Sequence, residues 1–350
     1  MMALRAAIAQ ASGLSAARVA VCGLAMACLM SASAFAQDAA GGAADPAPAS
    51  NSTAPASEAT ATASPPAAAP EPSGPPPDLA FGAFQRGMFL TALEEALKRV
   101  KENPDDAPAM TLLGELYRDG VSVRRNLNEA MRWYKLAADR GDRQAQFALG
   151  IAHLNGAGAA KDRKIARDWL GKAAGQNHAG ALYNLGVMAI DAEFQDFPRA
   201  ADLFRKAAEL GDMDAAYGLA VIYREGTGVA RDRAESVKWL KRAADERHIA
   251  AMVEYAIVLF NGDGAEKSES GAARLFAKAA QANSPIAQNR LARLYAAGRG
   301  VKTNAVEAMK WHILARANGV KDDWLDGRLA TLSPPEHLAV EEAVQRYIGN

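Results

Sequence analysis

Trp133-Tyr134-Lys135-Leu136-Ala137-Ala138 is a phrase that this chain writes again and again with small changes. It returns as Trp169-Leu170 with Ala173-Ala174, Leu203-Phe204 with Ala207-Ala208, and Trp239-Leu240 with Ala243-Ala244. Leu275-Phe276 with Ala279-Ala280 and Trp311-His312 with Ala315 complete the series. The steps between the first residues are 36, 34, 36, 36 and 36. Self-similarity at that period is the mark of helical pairs stacked into a solenoid, an architecture that offers a long surface for holding a partner.

The residues around each phrase read as a helix with both ends marked. Seven positions earlier stand Asn126, Asp162, Asp196, Asp232, Ser268 and Asn304. All are side chains that accept from the orphan N–H groups of a first helical turn. Glu129, Glu235 and Glu307 follow at capping-box spacing. Eight positions after the Trp column come Gly141, Asn177, Gly211, Arg247, Asn283 and Gly319. All but Arg247 tolerate the left-handed conformation that closes a helix.

A second helix precedes this one in every repeat. Ala109, Ala145, Ala181, Ala215, Ala251 and Ala287 share one column, and Leu113, Leu149, Leu185, Leu219, Tyr255 and Leu291 share another four residues on. Gly114, Gly150, Gly186, Ala220, Ala256 and Ala292 follow directly. A recurring glycine inside a helix, which costs about 0.8–1.0 kcal/mol against alanine, points to close approach by a neighbour. Gly120, Gly156, Gly226, Gly262 and Gly298 then end the helix; the third repeat has Ala192 there and is two residues shorter.

The pattern A-x-x-x-L-G-x-x-Y-x-x-G-x-G-V followed by D-x-x-x-A-x-x-W-x-x-x-A-A-x-x-G resembles the Sel-one-like repeat, a branch of the tetratricopeptide-like helical repeats; Gly226-Thr227-Gly228-Val229 with Arg231 to Ala244 carries it most fully. Ser122 in place of a loop glycine, and Leu203 and Leu275 in place of Trp, depart from it. The resemblance implies an all-α, right-handed superhelical solenoid of about six helix-turn-helix repeats over residues 107–319. It also implies first helices lining a concave groove and a non-enzymatic role in protein–protein interaction.

Flanking segments complete the expected organisation. Residues 1–36 read as a signal peptide: Arg5 and Arg18, a short apolar run from Val19 to Met30, and Ala34-Phe35-Ala36 as a cleavage site. The expectation is export, to the periplasm or beyond, with no membrane span left after cleavage. Residues 37–78, rich in Ala, Pro and Ser, read as a disordered tether. Residues 79–106 read as an N-terminal capping half-repeat, with Phe81, Phe84, Phe89, Ala92, Ala96 and Leu97 at helical spacing. Residues 320–350 read as a C-terminal cap opened by Ser333-Pro334-Pro335-Glu336, whose helix turns Leu338, Val340, Ala343 and Val344 onto the last repeat. Asp322-Asp323 reads as a solvated turn.

Composition removes several function classes. The chain has 40 basic and 40 acidic residues. Setting aside Arg5, Arg18 and the five acids before Leu79 leaves 38 against 35, no footprint for nucleic acid. The two cysteines, Cys22 and Cys28, both fall in the signal segment. No serine-lysine acylation motif, nucleophile elbow, zinc-protease helix or phosphate loop occurs. No cofactor or metal is expected, His153 and His312 read as packing residues, and His178 and His248 fall in inter-repeat turns.

The candidate partner-binding surface is the face of the first helices opposite the Ala and Leu columns. It carries Phe147, Ile151 and Leu154, then Tyr183, Val187 and Ile190, then Tyr217, Val221 and Arg224, then Val253, Ile257 and Phe260. Asn289 and Arg293 continue it at one end, Thr111, Glu115 and Arg118 at the other, with Asn184, Glu254 and Arg290 on its rim. Such a strip suits a protein or peptide partner laid along the groove; tight stacking of successive first helices would instead bury it. The expected function is an exported interaction scaffold, a regulator of envelope processes. A peptidoglycan-associated enzyme or glycan-binding accessory protein is the alternative.

Overall fold

The computed structural model describes residues 78–191 and 195–349, and there the chain forms sixteen helices and no strand. The segments expected to be a signal peptide and a tether lie outside the described residues, except for Asp78, as does Ala192 of the third repeat. Asp78 belongs to the folded part: it accepts from Phe81 N and pairs with Arg99.

Six helical pairs carry the repeats. They are α3 (Ala107–Asp119) with α4 (Leu127–Asp139), α5 (Arg143–Asn155) with α6 (Arg163–Gly175), and α7 (Ala179–Ile190) with α8 (Phe197–Glu209). Then follow α9 (Met213–Glu225) with α10 (Arg233–Asp245), α11 (Ile249–Asn261) with α12 (Glu269–Gln281), and α13 (Pro285–Ala297) with α14 (Ala305–Ala317). We call the first member of each pair the A helix and the second the B helix. Each helix packs on its neighbours in the chain, so the array grows by stacking. One continuous core runs from Leu182 to Val340, with smaller clusters under the first two repeats and the N-terminal cap.

The helix ends follow the sequence closely. All six N-cap side chains of the B helices accept from first-turn N–H groups, as Asp232 does from Glu235 N at 3.0 Å. The closing column is left-handed throughout, and Arg247, expected to be the exception, adopts φ 64° as well. The three N3 glutamates do not close capping boxes. They turn along their own helices instead: Glu129 to Arg132, Glu235 to Lys238, and Glu307 to Lys310 and Trp311 Nε1.

The small column after the leucines seats the large B-helix residue of the same repeat. A Cβ on Gly186 would lie 2.6 Å from Phe204 Cε1, and one on Gly150 would lie 2.7 Å from Leu170 Cγ. Tyr134, Leu170 and Phe204 meet the three glycines, Gly114, Gly150 and Gly186, in this way, and Leu240, Phe276 and His312, at the equivalent positions, are buried as well. His312 is fully enclosed there, with Nε2 3.0 Å from Asp326 Oδ1.

Both caps hold two helices. At the start, α1 (Leu79–Gln85) and α2 (Phe89–Glu102) bury Ala80, Ala83, Ala92 and Ala96, while Phe81 and Leu97 turn outward. At the end, the turn expected at Asp322-Asp323 is the N-terminus of a short helix, α15 (Asp323–Ala330), and α16 (Pro334–Ile348) lies across α14. Ser333 and Glu336 form the capping box that opens α16. Val340 and Ala343 face the core, but Leu338, expected to join them, is 58% exposed. It is the fifth residue of α16, on the side that faces solvent. No helix among the described residues is long and apolar enough to cross a membrane.

Candidate functional site

The A-helix strip divides into buried and accessible parts. Phe147, Ile151, Tyr183, Tyr217 and Val221 are between 1% and 8% exposed, so packing covers most of each, although Ile151 still lines a cleft described below. The aromatic members are covered by ring contacts: Phe147 and Tyr217 reach the N-cap residue of the next A helix, and Tyr183 reaches its own B helix. Val187, Asn184, Glu254 and Ile257 are half-buried, and Arg290 and Arg293 are exposed. Asn184 folds back on its own helix, donating from Nδ2 to Gly180 O at 2.7 Å.

The seams follow a rule that the sequence did not reveal. The residue two before the leucine column meets the N-cap of the next A helix. Thr111 Oγ1 donates to Asp142 Oδ1 at 2.9 Å, and Asn289 Nδ2 donates to Asp322 Oδ2 at 2.7 Å. Two of the seams between these polar ends are aromatic: Phe147 stacks on His178 and Tyr217 on His248. Both histidines are N-caps, accepting through Nδ1 from Ala181 N and Ala251 N, and both place Nε2 3.0 Å from an oxygen, of Gln144 and Asp214 respectively. Tyr183, in the shorter third repeat, lies over Phe204 instead.

A second inter-repeat relation shapes the accessible surface. The residue five after the leucine column of one A helix faces the residue one before that column in the next. Between repeats four and five these are Arg224 and Glu254, which form an ion pair, and Tyr217 donates its hydroxyl to the same carboxylate at 2.6 Å. This junction is closed by its own charges.

Two other junctions are open. Between repeats one and two, Arg118 faces the small Ala148, and a cleft of about 360 Å³ remains, lined by Tyr134, Ile151 and Asn155 among others. Between repeats five and six, Phe260 and Arg290 take the facing positions around a cleft of about 540 Å³. Ile257, Phe276 and Leu294 form its apolar wall, and Arg293, Arg299 and Trp324 stand at its edge. Ile257, Arg290 and Arg293 are therefore brought together as the sequence expected. Arg299 and Trp324 were missed because they come from a loop and from the cap, outside the helical columns.

The guanidiniums of this cleft are held in place. Arg293 donates twice to Asp322, at 2.6 and 2.8 Å, and Asp322 is only 5% exposed. Burial pushes the Asp322 carboxyl up, but Arg293, Asn289 and the Leu325 N–H outweigh it and hold it down at about 2. Arg299 pairs with Glu269 and lies 4.1 Å from the Phe260 ring centroid. Arg293 and Arg328 flank the Trp324 ring. Among the described residues, no group of three His, Cys, Asp or Glu side chains is placed to hold a metal ion.

These features coincide with what the chain resembles. The Sel1 repeat model matches six times, at residues 107–142, 143–178, 179–212, 214–248, 249–284 and 285–320, and the chain belongs to the Sel1 repeat family. Sel1-repeat proteins are in general protein-interaction scaffolds. The chain is 30% identical over 238 residues to the chitin synthase regulator SKT5 of Saccharomyces cerevisiae, covering 63% of this chain and 34% of that protein. It is 29% identical over 171 residues to an uncharacterized protein of Neisseria meningitidis serogroup B, covering 49% and 35%. The chain thus spans about a third of the length of these curated relatives. Among solved structures, a Sel1 repeat protein from Oxalobacter formigenes superposes with a TM-score of 0.63 at 28% identity, over 68% of this chain and 98% of that one.

Proposed function

We propose that this protein is an exported, non-enzymatic scaffold that holds a peptide or helical segment of a partner protein on its A-helix side and regulates an envelope process. The observation that carries the reading is the pair of equivalent clefts at opposite ends of the array, 1/2 and 5/6, both opening between A helices. A partner segment laid across the A helices meets a socket near each end, while the seams between keep the platform rigid. The regulatory part draws on the relative named as a regulator of chitin synthase. Export draws on the leader of residues 1–36.

A photo-crosslinking residue at Ile257, compared with one at Arg242 on a B helix, tests the scaffold. A discrete protein adduct from Ile257 alone is expected. Equal labelling from both positions, or turnover of cell-wall fragments by the purified chain, would remove the reading. Recovery from an envelope fraction of a chain beginning at Gln37 is expected if export and cleavage occur; a chain beginning at Met1 in the cytosol would end that part.

A further inference from the structure

We infer that the cleft between repeats five and six binds a carboxylate-bearing peptide segment, an aspartate or glutamate next to an apolar residue. The inference rests on the scaffold reading and names the chemistry of its partner.

The argument comes from comparing equivalent junctions. Between repeats four and five, the position one before the leucine column is Glu254, and its carboxylate sits against Arg224 and the Tyr217 hydroxyl. One repeat later the same position is Arg290, so the fold places a cation where it had supplied an anion. Arg290 is exposed and, among the described residues, has no carboxylate partner. The charged residues lining the cleft are Arg290, Arg293 and Arg299, and no acid lines it. Asp322 and Glu269 hold Arg293 and Arg299 from behind, which fixes their geometry before a ligand arrives. A carboxylate brought from outside completes this junction as Glu254 completes its neighbour, through charge-assisted hydrogen bonds.

The walls supply the second half of the specificity. Ile257, Phe276 and Leu294 give a floor for an aliphatic or aromatic side chain, and Trp324, 43% exposed, is a large aromatic at the rim. An exposed tryptophan beside fixed arginines has the composition of an interface anchor. A purely acidic ligand would leave this floor wet, and a purely apolar one would leave Arg290 without a partner, so the two features together select the mixed segment.

Selection of a displayed library of random peptides on the immobilised full chain tests this, with Arg290→Glu as the counter-target. That variant gives the 5/6 junction the acid found at 4/5 and lies on an exposed position. Enriched peptides are expected to pair Asp or Glu with Leu, Ile, Phe or a similar neighbour. Binding should weaken about tenfold or more in Arg290→Glu and in Trp324→Ala, and when the peptide acid is changed to its amide. Peptides enriched without an acid, or held equally by Arg290→Glu, overturn the assignment and leave the scaffold reading intact. No enrichment of any peptide removes both. Displacement of the selected peptides by a synthetic copy of residues 37–77, which carry acids but no Lys or Arg, makes the chain's own tether the occupant and overturns the external partner.

Discussion

The ring of Phe147 lies over the imidazole of His178, centroids 4.3 Å apart and planes 22° from parallel. Phe147 belongs to the second repeat and His178 opens the third, so one stacked pair joins packing to helix capping. The geometry also fixes the imidazole's protonation. Nδ1 accepts from Ala181 N and Nε2 faces Gln144 Oε1, which requires the neutral ring with its proton on Nε2.

That requirement makes the joint sensitive to acid. Burial, and after it the Arg143 guanidinium, push His178 down to about 4, with Asp142 opposing. The folded chain keeps the ring neutral while the unfolded chain takes up a proton near 6.5. The stabilisation is therefore whole above about pH 6.5 and is lost as pH falls toward about 4. His178→Asn keeps a capping acceptor and cannot titrate. Relative to that variant, the native chain should lose about 2 kcal/mol of urea-unfolding stability between about pH 7 and about pH 4.5. Parallel pH profiles would show that the histidine does not act in this way.

Two glycine-to-alanine changes should have opposite signs. In Gly186→Ala the new methyl meets Phe204, which is fully buried, so a loss of about 1–3 kcal/mol is expected despite better helix propensity. Gly171, inside α6, has open space around its Cβ position, and Gly171→Ala should gain about 0.5–1 kcal/mol. Thermal unfolding reads both; changes of the same sign would contradict the socket description.

The C-terminal cap should loosen when Asp322 is removed. Asp322→Ala leaves Arg293, Asn289 and the Leu325 N–H without their common acceptor, at an expected cost of about 1–2 kcal/mol at neutral pH. Because the Asp322 carboxyl is held below its ordinary 3.8, the contribution is complete above that value and fades as pH falls to about 2. Hydrogen exchange should show faster opening of α15 and α16 in the variant. Unchanged protection there would mean that the cap docks by apolar contacts alone.

Tyr217→Phe isolates one hydrogen bond at the closed 4/5 junction. The ring keeps its stack on His248 and Glu254 keeps Arg224, so only the 2.6 Å bond to the carboxylate disappears. A loss of about 1 kcal/mol is expected in urea unfolding. A neutral substitution would place the hold of this junction in the Arg224–Glu254 pair.

The repeat boundaries were legible because each is set by its neighbours in sequence: an N-cap such as Asp232, or a left-handed closure such as Gly141. Arg247 was misjudged because the stacked structure imposes φ 64° on a residue whose local preference resists it. The strip was harder. Helical spacing put Phe147 and Arg290 on one face, but how far that face is covered depends on residues about 30 positions away, such as His178. Asp322 was read as solvated for the same reason, since Asn289 and Arg293 reach it from the preceding repeat. The clefts needed a comparison across junctions, where Ala148 or Arg290 stands in the place of Glu254.

The matched seams have a genetic corollary. Thr111 fits Asp142, Phe147 fits His178, Tyr217 fits His248 and Asn289 fits Asp322. Reshuffling the units would lay a hydroxyl against an imidazole face, or a benzene ring against a carboxylate, and strand buried polar atoms. Duplication or loss of a unit, the usual way such arrays evolve in length, is tolerated only where the two new neighbours happen to agree. The period is modular; the joints are addressed, and the chain carries the order of its own parts.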